Sequence, residues 1–180
     1  MEPTTLYTIG HSTHAMEEFL AMLTEYSIEV LVDVRTVPKS RHNPQFVQQS
    51  LRESLGGAGI EYRHMKSLGG LRHAAADSVN TGWRNPSFRG YADYMQTPAF
   101  ARAVDELITF ARSACAAIMC AEAVPWRCHR SLIADALLVR GSRVVDIISA
   151  KQSKPHQLTP FARVDGTKIT YPPAQGALPL

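Results

Sequence analysis

The stretch CAEAVPWRCHRS, residues 120–131, holds two cysteines, a glutamate, a tryptophan, a histidine and two arginines. An apolar run, AAIM, leads into it and a helical pattern, LIADALLVRG, leads out, so these groups sit at a strand-to-helix turn. Cys128 falls at or beside the helix N-terminus, where free amide groups and the charges of Arg127 and Arg130 favour thiolate over thiol. A thiolate there can act as a nucleophile or as a soft metal ligand. The same helix end, with the Arg130 fork and the neighbouring His129, is a cradle for a phosphate or carboxylate. Glu122 is a carboxylate at a strand end, which either orients Arg130 or Arg35 or moves a proton as general base. The plain alternative makes Cys128 a small buried residue under Trp126, with His129 and Arg130 capping the sheet edge. Cys120, inside an apolar strand, reads as structural.

Cys120, Glu122, Cys128, His129 and His11 are all metal-ligand types, and zinc is the ion they would suit. The separation of Cys120 from Cys128 is wider than that of the close ligand pairs of structural zinc sites. Neighbouring Cys128 and His129 are also expected to point apart. No residue is therefore assigned to a metal, no cofactor is evident, and zinc stands as a minor alternative. Arg130 follows Cys128 too closely for the anion loop of thiol phosphatases and sulfurtransferases. A Gly-rich phosphate fingerprint and a serine-hydrolase elbow are absent.

A second chemical pattern lies in GWRNPSFRGY, where Trp83, Phe88 and Tyr91 interleave with Arg84 and Arg89. Aromatic faces beside guanidinium groups can stack bases and hold phosphates. The alternative is that Phe88, Tyr91 and Met95 begin a helix and belong to the core.

The elements that must position these groups follow from periodicity. LYTIG (6–10), IEVLVDV (28–34), GIEYRH (59–64), AAIMCA (116–121) and VVDII (144–148) read as strands. Ser12 or Thr13 is expected to cap a helix with Phe19, Leu20 and Leu23 on one side. Asn43 with Pro44 opens a second helix carrying Val47, Leu51 and Leu55. The connection LGGLRHAAADSVNTGWRNPSFRGY reads as too irregular for regular structure throughout. Thr97–Pro98 opens a long helix with Phe100, Val104, Leu107, Ile108 and Ala111 inward. The helix from about Arg130 closes at Gly141. Asp165–Gly166 marks a hairpin, and His156, just before it, carries no assignment. Together these predict an α/β fold, a mostly parallel sheet flanked by helices (Rossmann-like) with a C-terminal β-hairpin. Residues 1–171 form a single domain and 172–180 a loose tail.

Ligands in open parallel sheets bind beyond the carboxyl ends of the strands. The strand ends would bring a floor of Asp33, Arg35, Cys120 and Glu122 together with a rim of His11, Arg41, Arg72, Cys128, His129 and Arg130. The plain alternative pairs Asp33 with Arg35 as a cap on the sheet.

Composition bounds the reading. Lys+Arg number 19 against 16 Asp+Glu, a net charge of +3, too mild to argue for nucleic acid by itself. Three cysteines do not make a disulfide framework. No apolar run is long enough to span a bilayer and the N-terminus lacks a secretory pattern, so a cytoplasmic location without membrane contact is expected.

The segments YTIGHSTH, LVDVRTVPKSRHNPQF, GIEYRHMKSLGGLR, FRGYADYM, CAEAVPWRCHRSLIADALL and HQLTPFARVDGTKITYP together resemble the domain of unknown function family 488. The resemblance runs from about Tyr7 to Tyr171. It implies a compact α/β domain with a shared cluster around the quoted segments, and no particular reaction.

The leading expectation is an enzyme acting on a phosphate-bearing or otherwise anionic substrate, a nucleotide or nucleic-acid component. Cys128 would be nucleophile or ligand, Glu122 would handle a proton, His11 would be a base or anion contact, and Arg35 with Arg130 would hold the anion. The alternatives are a non-catalytic nucleic-acid-binding or repair-accessory module and a metal-binding protein.

Overall fold

The computed structural model describes residues 2–174. Most of the expected tail, residues 175–180, lies outside the described residues.

Five parallel strands form the frame: β1 (Thr5–Gly10), β2 (Val30–Asp33), β3 (Glu61–His64), β4 (Ala116–Cys120) and β5 (Arg143–Ser149). A sixth, β6 (Gln152–Pro155), runs antiparallel along β5, giving the order β3-β2-β4-β1-β5-β6. Every residue of β2 and β4 is buried, as expected of central strands covered on both faces. Helices α1 (Met16–Glu25) and α2 (Gln48–Gly57) cover one face through Phe19, Met22, Leu23, Leu51 and Leu55. Helices α3 (Pro86–Tyr94), α4 (Pro98–Ala111) and α5 (Arg130–Leu138) share the other core with Val32, Ile118 and Leu6. The two-stranded hairpin β7 (Arg163–Asp165) and β8 (Lys168–Thr170) turns through Gly166 at φ +60°, the left-handed turn that Asp-Gly foretells. Among the described residues no helix is long and apolar enough to cross a membrane.

Local chemistry explains most boundaries. Thr97 accepts a hydrogen bond from the Phe100 N–H and Pro98 occupies the first helical turn, so α4 starts where its sequence says. Several boundaries differ from expectation. Ser12 adopts a left-handed conformation (φ 45°) and caps nothing; α1 begins after Ala15 with no side-chain cap. Pro44 opens a single 3-10 turn, and α2 starts only at Gln48. The irregular connection contains α3, capped by the Asn85 side chain accepting from the Ser87 N–H. β6 escapes a hydrophobic reading because it is an exposed, polar edge strand ending in proline.

The residue after β8 is tied back to this connection. The Tyr171 N–H donates to the Asn80 side-chain oxygen at 2.9 Å, the Gly82 N–H donates to the Tyr171 carbonyl at 2.9 Å, and the buried Tyr171 hydroxyl donates to Asp135 at 2.8 Å.

Register decides which face each polar strand end occupies. Asp33 stands level with Met119 across the β2–β4 ladder. Side chains alternate along a strand, so Cys120 points to the face opposite Asp33. The core assignments agree: Cys120 packs with the α3–α5 side, while Tyr62, the partner of Asp33, packs with the α1–α2 side.

Candidate functional site

The expected common pocket is therefore two sites. On the α1–α2 face, His11, Asp33 and Arg35 form a closed network. The Asp33 carboxylate accepts from the Arg35 backbone N–H (3.0 Å), from Arg35 Nε (2.9 Å) and Nη2 (2.7 Å), and from the Tyr62 hydroxyl (2.7 Å). Burial and the Asp33 charge push the Tyr62 phenol far up. His11 Nδ1 lies 2.8 Å from the Ser12 carbonyl and donates to it, leaving Nε2 to accept from Arg35 Nη1 at 3.4 Å. The ring stacks on Phe46 at 4.3 Å, and burial, joined by Arg35, pulls its pKa down. His64 donates to the Arg35 carbonyl at 2.8 Å. His11 is a neutral, hydrogen-bonded scaffold residue rather than a base at the thiol site, and Arg35 is the partner of Asp33, the plain alternative for that pair.

On the α3–α5 face, β4 ends in Cys120 and α5 begins at Arg130. His129 Nδ1 lies 3.7 Å from Cys128 Sγ and 3.9 Å from Cys120 Sγ. The three donor atoms all lie within 4.8 Å of one another. His129 Nε2 lies 3.0 Å from the Val34 carbonyl. A carbonyl only accepts, so Nε2 carries a proton and donates to it, while Nδ1 faces the two sulfurs. The imidazole and both thiols border a cavity of about 350 Å³, with Glu122, Arg127 and Phe88 also in its wall. Gly70 borders it too: a Cβ there would come within 2.5 Å of His129 Nδ1, so the loop needs glycine to lie against the ring.

The expectation that Cys128 and His129 point apart is overturned by the backbone between them. Cys128 is extended (φ −136°, ψ 145°) and His129 helical (φ −57°, ψ −17°), and this change of conformation turns both side chains the same way. Cys120, read as structural, is buried at the end of β4, and its sulfur also faces His129. Cys128 does not lie under a buried indole, since Trp126 is 59% exposed. Its sulfur does receive the Arg130 N–H at 3.5 Å, the free amide expected at the helix start.

The two sulfurs lie close enough to affect each other's ionisation. The Cys128 hydrogen bond, joined by His129, draws Cys120 well below the ordinary thiol range, while Cys120 and burial push Cys128 well above it. The first proton leaves the pair early and the second late.

The remaining predicted residues scatter. Arg130 is fully buried, donating Nη1 to the Glu122 carbonyl and Nη2 to the Ala123 carbonyl at 3.0 Å. It therefore cradles no anion: it clamps the 122–123 segment over the end of β1, where any Cβ on Gly10 would collide with the Glu122 carbonyl. Glu122 contributes its carbonyl to this clamp, and the residue is exposed and borders the cavity. Arg72 folds back on its own loop, donating to the Gly69 carbonyl at 3.1 Å with its guanidinium 3.5 Å above the Tyr94 ring. Arg41 is exposed on the loop before α2. Of the three stacking candidates, Tyr91 is fully buried with its hydroxyl on the Leu68 carbonyl, so it can meet no base. Trp83 and Phe88 stack on each other at 4.9 Å, with Phe161 edge-on to Trp83.

One cluster was missed in the sequence. His156 Nε2 faces Asp135 and its Nδ1 faces Asp146, each at 3.0 Å. Both carboxylates can only accept, so the ring must carry both protons. Burial opposes that charge, but the two aspartates lift the His156 pKa to about 9. Burial also works to raise Asp146, and hydrogen bonds from His156 and Thr8 (2.6 Å) outweigh it and hold the carboxyl below its usual value. No short motif announces this group; its members are spread over α5, β5 and the loop after β6.

The family model described as Domain of unknown function DUF488 matches residues 15–137, a span that contains Cys120, Glu122, Cys128 and His129. No curated protein and no solved structure matches the chain.

Proposed function

This chain belongs to the Domain of unknown function DUF488 family, and from the site its matched span carries we propose that it is a metal-dependent enzyme. One observation carries the reading: two sulfurs and an imidazole Nδ1 lie within 4.8 Å of one another beside a cavity. Cys120, Cys128 and His129 are a donor set suited to zinc with one position left open, the arrangement of catalytic rather than structural sites. The Val34 carbonyl behind His129 is the outer hydrogen bond that orients a ligating imidazole. A zinc ion held there would supply Lewis acidity and a bound water acidic enough to react near neutral pH. Glu122, two residues beyond Cys120 and in the wall of the same cavity, would be the residue to take up a proton and pass it to a leaving group. The zinc deaminases use a glutamate two positions after a ligand in this way. Arg127 at the cavity wall is the guanidinium left to meet an anionic substrate, since Arg35 and Arg130 are engaged inside the protein. The reaction class is hydrolysis at a polarised carbon of a small, anionic molecule.

The decisive experiment is metal analysis of the purified protein followed by cobalt(II) substitution. Near-stoichiometric zinc, and a near-ultraviolet thiolate-to-cobalt band lost in Cys120→Ser and Cys128→Ser, are expected. Protein that carries no metal and gives no such band with added cobalt overturns the reading. A second reading rests on the contacts between His129 Nδ1 and the sulfurs: without metal, the imidazole accepts the thiol proton and the thiolate is the nucleophile. Rapid alkylation of metal-free protein, slowed in His129→Gln, distinguishes it.

A further inference from the structure

The Pro125–Arg127 turn also borders a larger cavity, of about 530 Å³, that the thiol site does not explain. That volume is in the range of small-molecule sites. Its walls are aromatic and proline-rich, with Trp83, Trp126, Phe161 and Pro125 among them, and its charged residues are Lys154, His156 and Asp146, the last two paired with each other. Trp126 exposes 59% of its surface, and the Lys154 ammonium sits 4.7 Å from its ring centroid. Trp83 presents a second indole to the cavity. His156 is positively charged, but both its N–H groups are spent on Asp135 and Asp146. The cation left to meet a ligand is Lys154. Much of this wall, from Lys154 to Phe161, comes from beyond the span matched by the family model.

We propose that this cavity binds a flat aromatic ring bearing an anionic arm, the chemistry shared by a nucleoside monophosphate and an aromatic carboxylate. The ring packs against the two indoles and the arm reaches Lys154. A cation beside an exposed aromatic face suits such a ligand twice, through stacking and through charge.

The chain has two tryptophans and both line the cavity, so intrinsic fluorescence reports on it directly. Purified protein is titrated with adenosine monophosphate, adenosine and naphthoate. Saturable quenching by the monophosphate or the naphthoate is expected, and which of them binds identifies the source of the ligand. Lys154→Ala should weaken that binding about tenfold with an unchanged melting temperature, because the side chain is exposed. Trp126→Leu should weaken it as well. Cys128→Ser should leave the titration unaltered, so failure of the metal site and failure of this site give different results. Quenching that never saturates, equal affinity for adenosine and its monophosphate, or an undiminished affinity in Lys154→Ala overturns the proposal.

Discussion

His11 and His129 stand near the same end of one sheet, on opposite faces, and each ring is held by a backbone carbonyl. They differ in what the other nitrogen does. In His11 it meets the Arg35 guanidinium, itself spent on Asp33, so the network closes on itself. In His129 it meets two sulfurs at the wall of a cavity. The first arrangement saturates its hydrogen-bonding groups and holds the sheet end together; the second leaves soft donors with weak mutual contacts. Closed polar networks confer order, whereas a partly satisfied one marks where an outside atom is to bind.

That contrast can be broken by mutation. The largest effect should come from Arg130→Ala, which removes a buried charge from the two carbonyls it clamps. A loss of about 3–5 kcal/mol is expected from the urea midpoint, and a smaller loss would mean that the clamp is replaceable by water. Next comes the closed His156 network. Its folded pKa of about 9 lies above the ordinary 6.5. The stability it contributes is fully present below about pH 6.5 and is lost as pH rises through about 9, by up to roughly 3 kcal/mol. Denaturation at a series of pH values should show that decline, and His156→Gln should flatten it. Asp146, held low, acts in the opposite direction, and its contribution disappears only as pH falls through its folded value.

The open site should behave differently. His129→Ala is expected to cost only about 1 kcal/mol while abolishing the cobalt spectrum, separating a binding role from a packing role. The smallest effect on stability belongs to Glu122→Gln, within about 0.5 kcal/mol because the carboxylate is exposed. The variant should keep its cobalt band and lose whatever hydrolytic turnover the wild type shows. If it instead melts several degrees lower, Glu122 belongs with the closed networks.

The sheet was legible because β2 and β4 read as continuous apolar runs, and α4 because Thr97, Pro98 and its inward stripe agree. β6 was silent because edge strands lack an apolar pattern, and α3 because its aromatic and arginine residues also suit a loop. The CAEAVPWRCHRS turn holds Cys120, Cys128 and His129, which the fold gathers beside a cavity, but the partners expected for them were not legible. Whether Asp33 and Cys120 share a face depends on the register of β2 against β4, which no local pattern encodes. The convergence of Cys128 with His129 depends on one change of backbone conformation between them. Arg130 looked like an anion ligand because composition cannot distinguish a guanidinium that faces solvent from one that ties down carbonyls.

The clasp of Tyr171 on Asn80, Gly82 and Asp135 has a temporal consequence. Synthesis delivers Asn80, Gly82 and Asp135 before it delivers this tyrosine. The loop carrying Trp83, whose ring lies 5.6 Å from that of Tyr171, thus waits on that residue to be fixed in place.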